Sequence, residues 1–83
     1  MDYAFFCKTV IDYLKKCEVV NAVFNGETEF PEDIASIVYH KYINSGVYIK
    51  SIDDIHKFTS KVLDEADDVM YTKTWSYSNW TLV

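Results

Sequence analysis

One long amphipathic stretch, residues 51–71, constrains the fold of this chain more than any other feature. Its apolar residues recur at three- and four-residue spacing, as on the buried side of an α-helix. They are Ile52, Ile55, Phe58, Thr59, Val62, Ala66, Val69 and Met70. Ser51 stands at the start with Asp54 three residues later, which is the arrangement of a capping box at a helix N-terminus. The pattern predicts a helix of about five turns over residues 51–71.

A second helical pattern covers the beginning of the chain. The period is carried by Phe6, Val10, Tyr13, Leu14, Cys17, Val20 and Phe24, with Asp2 placed as N-cap. Asn25-Gly26 then offers a C-terminal stop. The same dipeptide is also the strongest signal for the type I′ turn of a β-hairpin, here over residues 19–30. We predict a helix over residues 2–24, because Glu27-Thr28-Glu29 makes a charged, poor return strand, and the hairpin is the alternative.

A third helix is predicted over residues 31–44. Pro31 suits the first turn, where its missing N–H needs no partner. Glu32 and Asp33 follow at the positive end of the helix dipole. Asn44-Ser45-Gly46 ends the pattern, and residues 47–49 are typical of a short link or edge strand.

The C-terminal tail, residues 73–83 with the sequence K-T-W-S-Y-S-N-W-T-L-V, is rich in aromatic residues, although chain ends are usually polar. Trp75 and Tyr77 alternate with small polar residues, and Trp80 and Leu82 resume out of phase. This pattern is typical of a short strand with a bulge or turn. We expect Trp75 and Leu82 to complete the core, and Tyr77 or Trp80 to remain available to a partner.

Together these elements predict one domain over residues 1–83 that is mainly α, with three amphipathic helices and a C-terminal extended segment packed on them. The alternative is an α+β fold with a small antiparallel sheet, in which residues 19–30 form a hairpin and residues 47–49 pair with the tail. A chain of 83 residues has room for one domain. A hydrophobic content of 49%, with two Gly and one Pro, is typical of a folded chain.

The charge balance narrows the classes of partner. The chain has 13 acidic and 8 basic residues, a net charge of −5, and all of its basic residues are Lys. Arg supplies the bidentate contacts to phosphate and guanine. Its absence, together with the negative charge, argues against direct nucleic-acid binding, and the same charge would be repelled by an anionic membrane. A basic partner protein would instead be attracted.

The two thiols indicate a reducing compartment. Cys7 and Cys17 fit neither a C-x-x-C redox pair nor a zinc ribbon. On one helix they would lie about 15 Å apart, beyond disulfide reach. Asp2 stands where the basic region of a signal peptide would begin, and no long apolar run follows. We therefore expect a cytoplasmic protein.

The sequence carries no motif that indicates catalysis, a metal or a cofactor. His56 shares a predicted helix face with Asp53 and Ser60, but such a face lacks the oxyanion donors that acyl transfer requires. His40 is expected to be a half-buried helix residue. The acidic residues after Lys61 diverge around the predicted helix, whereas Ca²⁺ ligands converge from a loop. We expect neither an enzyme nor a bound cofactor or metal.

The acidic residues form three clusters, and the last is the most informative. Residues 27–33 and 53–54 lie at predicted helix N-termini, where carboxylates favour the helix dipole. Residues 64–68 oppose the dipole, so they are either a solvated helix face or charges kept for a basic partner surface. The seven tyrosines exceed what three helices can bury, and tyrosine is enriched at protein interfaces. The predicted partner-binding residues are Asp53, Asp54, Asp64, Glu65, Asp67, Asp68, Tyr71, Tyr77 and Trp80.

With its acidic clusters, surplus tyrosines and absence of Arg, the chain resembles in composition the small acidic phage proteins that act against host defences or host transcription, including anti-CRISPR and anti-restriction inhibitors. The resemblance implies a non-enzymatic inhibitor, similar to DNA in its charge, that occupies the basic groove of a nuclease, CRISPR effector or polymerase in the host cytoplasm. The chain is also similar to bacteriocin immunity proteins, although Phe30-Pro31 departs from their Tyr-Tyr-Pro stretch. The alternative function is a structural or adaptor subunit, or a homodimer, docked through apolar surface and the tail.

Overall fold

A computed structural model describes residues 2–72 of the chain. In chain order these residues form α1 Tyr3–Lys16, β1 Val19–Phe24, β2 Glu27–Glu29, α2 Pro31–Ser45, α3 Ile52–Asp64 and β3 Asp68–Tyr71. The expectations for Trp75, Tyr77, Trp80 and Leu82 fall outside the described residues and stay predictions.

The predicted helix over residues 2–24 is wrong beyond Lys16. Glu18 has a positive φ of 60°, and the N–H of Cys17 donates to the carbonyl of Tyr13 at 3.0 Å, so α1 closes there. The chain continues as a hairpin whose turn residues, Asn25 and Gly26, have φ values of 54° and 83°. Positive φ at both positions is what a type I′ turn requires. The hairpin alternative is confirmed, because the turn signal outweighed the apolar spacing.

The predicted helix over residues 51–71 is also too long. Ser51 is the N-cap as predicted, and its side chain accepts a hydrogen bond from the N–H of Asp54. However, α3 ends at Asp64, where the carboxylates oppose its dipole. Val69 and Met70 lie instead on β3, and Val69 packs against the core while Met70 is exposed. The fold is therefore α+β, and the prediction of a mainly α protein is wrong.

The three described strands form an antiparallel sheet in the order β2-β1-β3. Val20 forms a β-bulge, because Val19 and Asn21 pair with the consecutive residues Tyr71 and Met70. Residues 47–49, which the α+β alternative placed in the sheet, are an irregular link between α2 and α3. The third strand of the sheet described within residues 2–72 is β3, which lies in the stretch predicted as a helix over residues 51–71.

The helices pack on one face of this sheet and enclose the core. Its buried apolar residues are Phe6, Val10, Leu14, Val19, Ala22, Ile34, Ala35, Val38, Ile49, Ile55, Val62 and Leu63. The prediction for α2 is confirmed within one residue, with Gly46 in the left-handed conformation at its C-terminus, at φ 75°. Between α1 and α2 the ring of Phe6 lies 5.3 Å from Tyr39 and 5.2 Å from Tyr42. These contacts account for part of the tyrosine surplus.

Candidate protein-binding surface

Five exposed acidic residues gather at one end of the sheet, where α3 passes into β3. Asp64 ends α3, Glu65 is its C-cap, Asp67 lies in the loop and Asp68 begins β3. Glu27 begins β2 directly after the β1–β2 turn. The backbone N–H of Gly26 in that turn donates to Asp67 Oδ2 at 3.2 Å, which holds the turn against the loop. We call these five acidic residues the acidic end.

Asp67 fixes the geometry of the acidic end. Besides the bond from Gly26, the Asp67 backbone N–H donates to the carbonyl of Val23 at 2.7 Å. Its backbone and its side chain therefore both bind the hairpin. This anchors the loop, so that the neighbouring carboxylates are displayed on a fixed backbone. The sequence presented Asp67 as one charge among four, and nothing local indicated this bond to a residue 41 positions away.

The acidic end is poorly neutralised within the described part of the chain. Lys41 Nζ lies 3.8 Å from Glu65 Oε1, and both side chains are about half exposed. Such a pair stabilises a protein by at most about 1 kcal/mol. Between residues 2 and 72, no salt bridge reaches Glu27, Asp64, Asp67 or Asp68. Asp64 also lies at the negative end of the α3 dipole, which adds to the negative charge of the acidic end.

Asp53 and Asp54, which were predicted to share the site, lie at the other end of α3. That helix has 13 residues, which separates the two acidic groups by about 18 Å. Asp54 accepts a hydrogen bond from the backbone N–H of Lys50 at 3.3 Å, and Asp53 pairs with Lys57 at 3.4 Å. Both carboxylates serve the start of the helix. The structure therefore divides the predicted acidic surface into two separate regions.

Of the aromatic residues predicted to bind a partner, only Tyr71 is described, and it lies away from the acidic end. Tyr71 ends β3 and is 38% exposed, but the four-residue strand places it about 10 Å from Asp68. Tyr77 and Trp80 lie outside the described residues. Among the tyrosines of residues 2–72, the most exposed is Tyr48, at 80%, in the link between α2 and α3. Sequence reasoning did not single out Tyr48, because an isolated tyrosine in a short link gives no periodic signal.

His56, Ser60 and Tyr13 form a polar cluster where α1 packs against α3. Its ring stacks on Tyr13 with centroids 4.6 Å apart and an interplanar angle of 22°. Burial, followed by hydrogen bonding and charge interaction with Cys17, raises the pKa of the Tyr13 phenol, while the hydroxyl of Ser60 acts in the opposite direction. His56 and Ser60 thus both face Tyr13. These contacts are packing contacts between α1, which carries Tyr13, and α3, which carries His56 and Ser60.

The other histidine and the acidic residues show similarly simple environments. His40 Nδ1 lies 2.8 Å from the carbonyl oxygen of Ser36, one helical turn earlier. Within residues 2–72, no group of three or more His, Cys, Asp or Glu side chains is placed to hold a metal ion. The residues of the acidic end are all exposed, and they come from a helix terminus, a loop and two strands.

Comparison of the chain with protein-family models, with curated proteins and with solved structures found no match. Among the helices of the described residues, none is long and apolar enough to cross a membrane.

Proposed function

We propose that this protein is a non-enzymatic inhibitor that binds a basic, nucleic-acid-handling host protein through the acidic end. The observation that carries the proposal is the convergence of Glu27, Asp64, Glu65, Asp67 and Asp68 on one end of the sheet, with Lys41 as the single salt-bridge partner within residues 2–72. Oriented carboxylates at this density are complementary to the Lys- and Arg-rich surfaces with which proteins hold phosphates.

The energetics of the acidic end support a role in binding. Like charges on neighbouring residues repel one another, and Asp64 in addition opposes the helix dipole. These carboxylates therefore reduce the stability of the free protein, apart from the hydrogen bond that Asp67 makes. A basic partner would relieve the repulsion, and the same charges would accelerate its association at low salt.

The cellular setting belongs to the proposal as well. We place the protein in the cytoplasm of a bacterial host, with phage as its source, on the basis of its composition and its free thiols. The target class is a nuclease, a CRISPR effector or a polymerase, since each presents a basic groove to nucleic acid. The acidic end is small beside such a groove, so shape and neighbouring apolar contacts must contribute to specificity.

A charge-reversal experiment tests this proposal. The variant Glu27→Lys/Asp64→Lys/Asp68→Lys reverses three carboxylates and leaves the anchoring Asp67 intact. The control variant Asp12→Lys/Glu32→Lys/Asp53→Lys changes the net charge by the same amount at exposed sites elsewhere. Immobilised wild-type and variant proteins are used to capture partners from bacterial lysate at low and high salt, and captured proteins are identified by mass spectrometry.

We expect the wild-type and control proteins to retain one basic partner, and the acidic-end variant to lose it. Capture should also weaken as salt rises, because the Debye length shortens from about 10 Å at 0.1 M to about 3 Å at 1 M. Capture that is equal for the wild-type protein and the acidic-end variant would exclude the acidic end as the binding surface. Equal losses in both variants would show that net charge, rather than this surface, governs capture.

A second candidate function rests on apolar surface at the α2–α3 link. Within ten residues of sequence, Ile43, Val47, Tyr48 and Ile52 are all exposed. Clustered apolar exposure is typical of interfaces, and it supports the alternative of an adaptor subunit or homodimer. Sedimentation of the wild-type protein over a range of concentrations tests this alternative. A monomer throughout the range would exclude self-association, and a dimer abolished by Tyr48→Lys would locate the interface at the link.

A further inference from the structure

An open groove runs along α3, with the link and the end of α2 as its opposite wall. It consists of two depressions of about 240 and 290 Å³, which are neighbours because Phe58 and Lys61 line both. The link, residues 47–49, closes the first depression, and the last turn of α2 closes the second. We call the two depressions together the α3 groove.

The two depressions repeat along the helix. The first is lined on the α3 side by Asp54, Lys57, Phe58 and Lys61. Each of these positions recurs four residues later in the second, which is lined by Phe58, Lys61, Val62 and Glu65. Four residues of a helix rise about 6 Å, or one turn. Two depressions at this spacing match the side chains at positions i and i+4 of another helix, as in the packing of ridges into grooves.

Phe58 gives the α3 groove an apolar floor. Its ring is half-buried, packs against the core and lies 6.3 Å from the ring of Tyr42, measured between centroids. Beside it, Val47 and Tyr48 are exposed at 44% and 80%. A side chain that enters either depression therefore contacts Phe58, and the depressions favour apolar side chains.

The α3 groove is also rich in lysine, although the chain has a net charge of −5. Lys41, Lys57 and Lys61, three of the eight lysines of the chain, line it. Lys61 is exposed, and no salt bridge reaches it within residues 2–72. Lys57 pairs with Asp53 at 3.4 Å, but both side chains are 75% exposed, so the pair is weak and a new carboxylate competes with it.

Two carboxylates mark the ends of the α3 groove. Asp54, at one end, accepts a hydrogen bond from the backbone N–H of Lys50 at 3.3 Å. Glu65, at the other end, lies 3.8 Å from Lys41. An anionic ligand would be repelled by both ends, so its negative charge fits best in the middle, beside Lys61.

We infer that the α3 groove binds an acidic, amphipathic helix of another protein. Apolar side chains at positions i and i+4 of that helix occupy the two depressions, and a carboxylate between them pairs with Lys61. The groove is long enough for this, because the eleven residues from Asp54 to Glu65 rise about 16 Å, or three turns. Recognition of a helix in a groove through such anchors is a common binding mode.

The charge of the α3 groove favours this occupant over the others. A basic helix would lose the contacts with lysine, and it would be attracted to the acidic end instead. A second copy of this chain carries the same net charge of −5, which opposes self-association. The α3 groove thus provides a second recognition site, opposite in charge to the acidic end, and it does not depend on the function proposed above.

Peptide selection on the full-length chain tests the inference without assuming a partner. A library of random peptides displayed on phage is selected against the wild-type protein. We expect enrichment of sequences with apolar residues at i and i+4 and with Asp or Glu between them. An enriched acidic peptide is then synthesised with a fluorescent label, and fluorescence anisotropy measures its Kd for the wild-type protein and for each variant.

Two substitutions on opposite walls should weaken binding of this peptide. Lys61→Glu should raise its Kd about tenfold or more, because an attraction becomes a repulsion. Asn44→Glu adds a carboxylate to the second depression from the α2 side and should raise the Kd as well. Lys16→Glu is the matched control, since it makes the same charge change at an exposed lysine of α1. Far-UV circular dichroism establishes that each variant is folded.

Several results would overturn the inference. They are the absence of enrichment, enrichment of basic sequences alone, an unchanged Kd for Lys61→Glu, and an equal loss for Lys16→Glu. In nuclear magnetic resonance spectra, the acidic peptide should shift the amide signals of Phe58 and Lys61. The same shifts on raising the protein concentration alone would instead identify a second copy as the occupant. The variant Glu27→Lys/Asp64→Lys/Asp68→Lys should still bind the acidic peptide, which separates this test from that of the acidic end.

Discussion

The two ends of α3 both carry carboxylates, but the structure uses them in different ways. At the N-terminal end, Asp54 accepts a hydrogen bond from the backbone N–H of Lys50, while Asp53 pairs with Lys57. At the C-terminal end, Asp64 lies against the negative pole of the dipole, and within residues 2–72 no salt bridge neutralises it. Helix stability alone accounts for the carboxylates at the N-terminal end of α3, but it does not account for Asp64 at the C-terminal end.

This difference separates structural charge from charge that is available to a partner. A carboxylate whose lone pairs are taken by backbone N–H groups gains little from a new cation. An exposed carboxylate among like charges gains more, because binding removes repulsion as well as adding attraction. Asp67 combines both situations, since its Oδ2 accepts from Gly26 while it remains exposed within the acidic end. Substitutions at the two ends of α3 therefore test whether their carboxylates differ in their effect on the free energy of unfolding.

The largest effect is expected at the N-cap. Ser51→Ala removes the acceptor for the Asp54 N–H and should lower the free energy of unfolding by about 1 kcal/mol. Urea denaturation followed by circular dichroism measures the change. Ser51→Asn, which preserves a capping acceptor, should keep most of the stability. Equal losses in the two variants would show that the cap does not stabilise α3.

The bond between the loop and the hairpin should rank next. Asp67→Ala leaves the Gly26 N–H without its acceptor and should cost about 0.5–1 kcal/mol, because the site is exposed and water replaces part of the bond. Asp68→Ala is the matched control, since the adjacent carboxylate has no salt bridge within residues 2–72. If both variants unfold at the same urea concentration, Asp67 does not anchor the acidic end.

Asp53→Asn probes the favourable end of α3. It removes one carboxylate from the first helical turn together with the ion pair to Lys57. We expect a loss of roughly 0.5 kcal/mol in the free energy of unfolding at low salt. Because both interactions are exposed, 1 M NaCl should reduce the loss substantially. A loss that does not respond to salt would contradict an electrostatic origin.

Asp64→Asn makes the same chemical change at the opposite end, and its effect should have the opposite sign. Relief of the unfavourable dipole interaction should stabilise the protein by about 0.3 kcal/mol. Asp and Asn have similar helix propensities, so propensity does not mask the charge effect. Thermal and urea unfolding in low salt measure both variants side by side. Destabilisation by Asp64→Asn would mean that this carboxylate has a structural partner.

Local sequence patterns predicted the helix positions and offered the β1–β2 hairpin as the alternative, but they missed β3. The boundaries of α2 and the capping of α3 were predictable because Pro31, Gly46 and Ser51 act through neighbouring backbone groups. Phe6, Val10 and Leu14 were predictable as core residues because burial follows helical period over short distances. For β3, the spacing of Val69 and Met70 fitted a helix as well as a strand, and local periodicity does not distinguish them in so short a segment.

The candidate site was predictable in part for the same reason. Asp64, Glu65, Asp67 and Asp68 are consecutive enough in sequence to be recognised as a cluster. Glu27 was not recognisable as a member, because it was grouped with Glu29 and the start of α2. Its approach depends on the hydrogen bond between Gly26 and Asp67, which joins residues 41 positions apart. Asp53 and Asp54 lie at the opposite end of α3, about 18 Å from Asp64, so the structure does not bring them to the acidic end.

The sequence by itself determined the acidic charge, the apolar content of one small domain, the start of each helix and the Asn-Gly turn, because each depends on composition or on groups within a few residues. Tertiary structure decided where α1 and α3 stop, which strand completes the sheet, and which carboxylates gather at the acidic end. The physical reason is that β1 and β3 satisfy one another's backbone hydrogen bonds across the chain. That long-range pairing outweighed the helical spacing of residues 18–24 and 66–71, and in doing so created the acidic end.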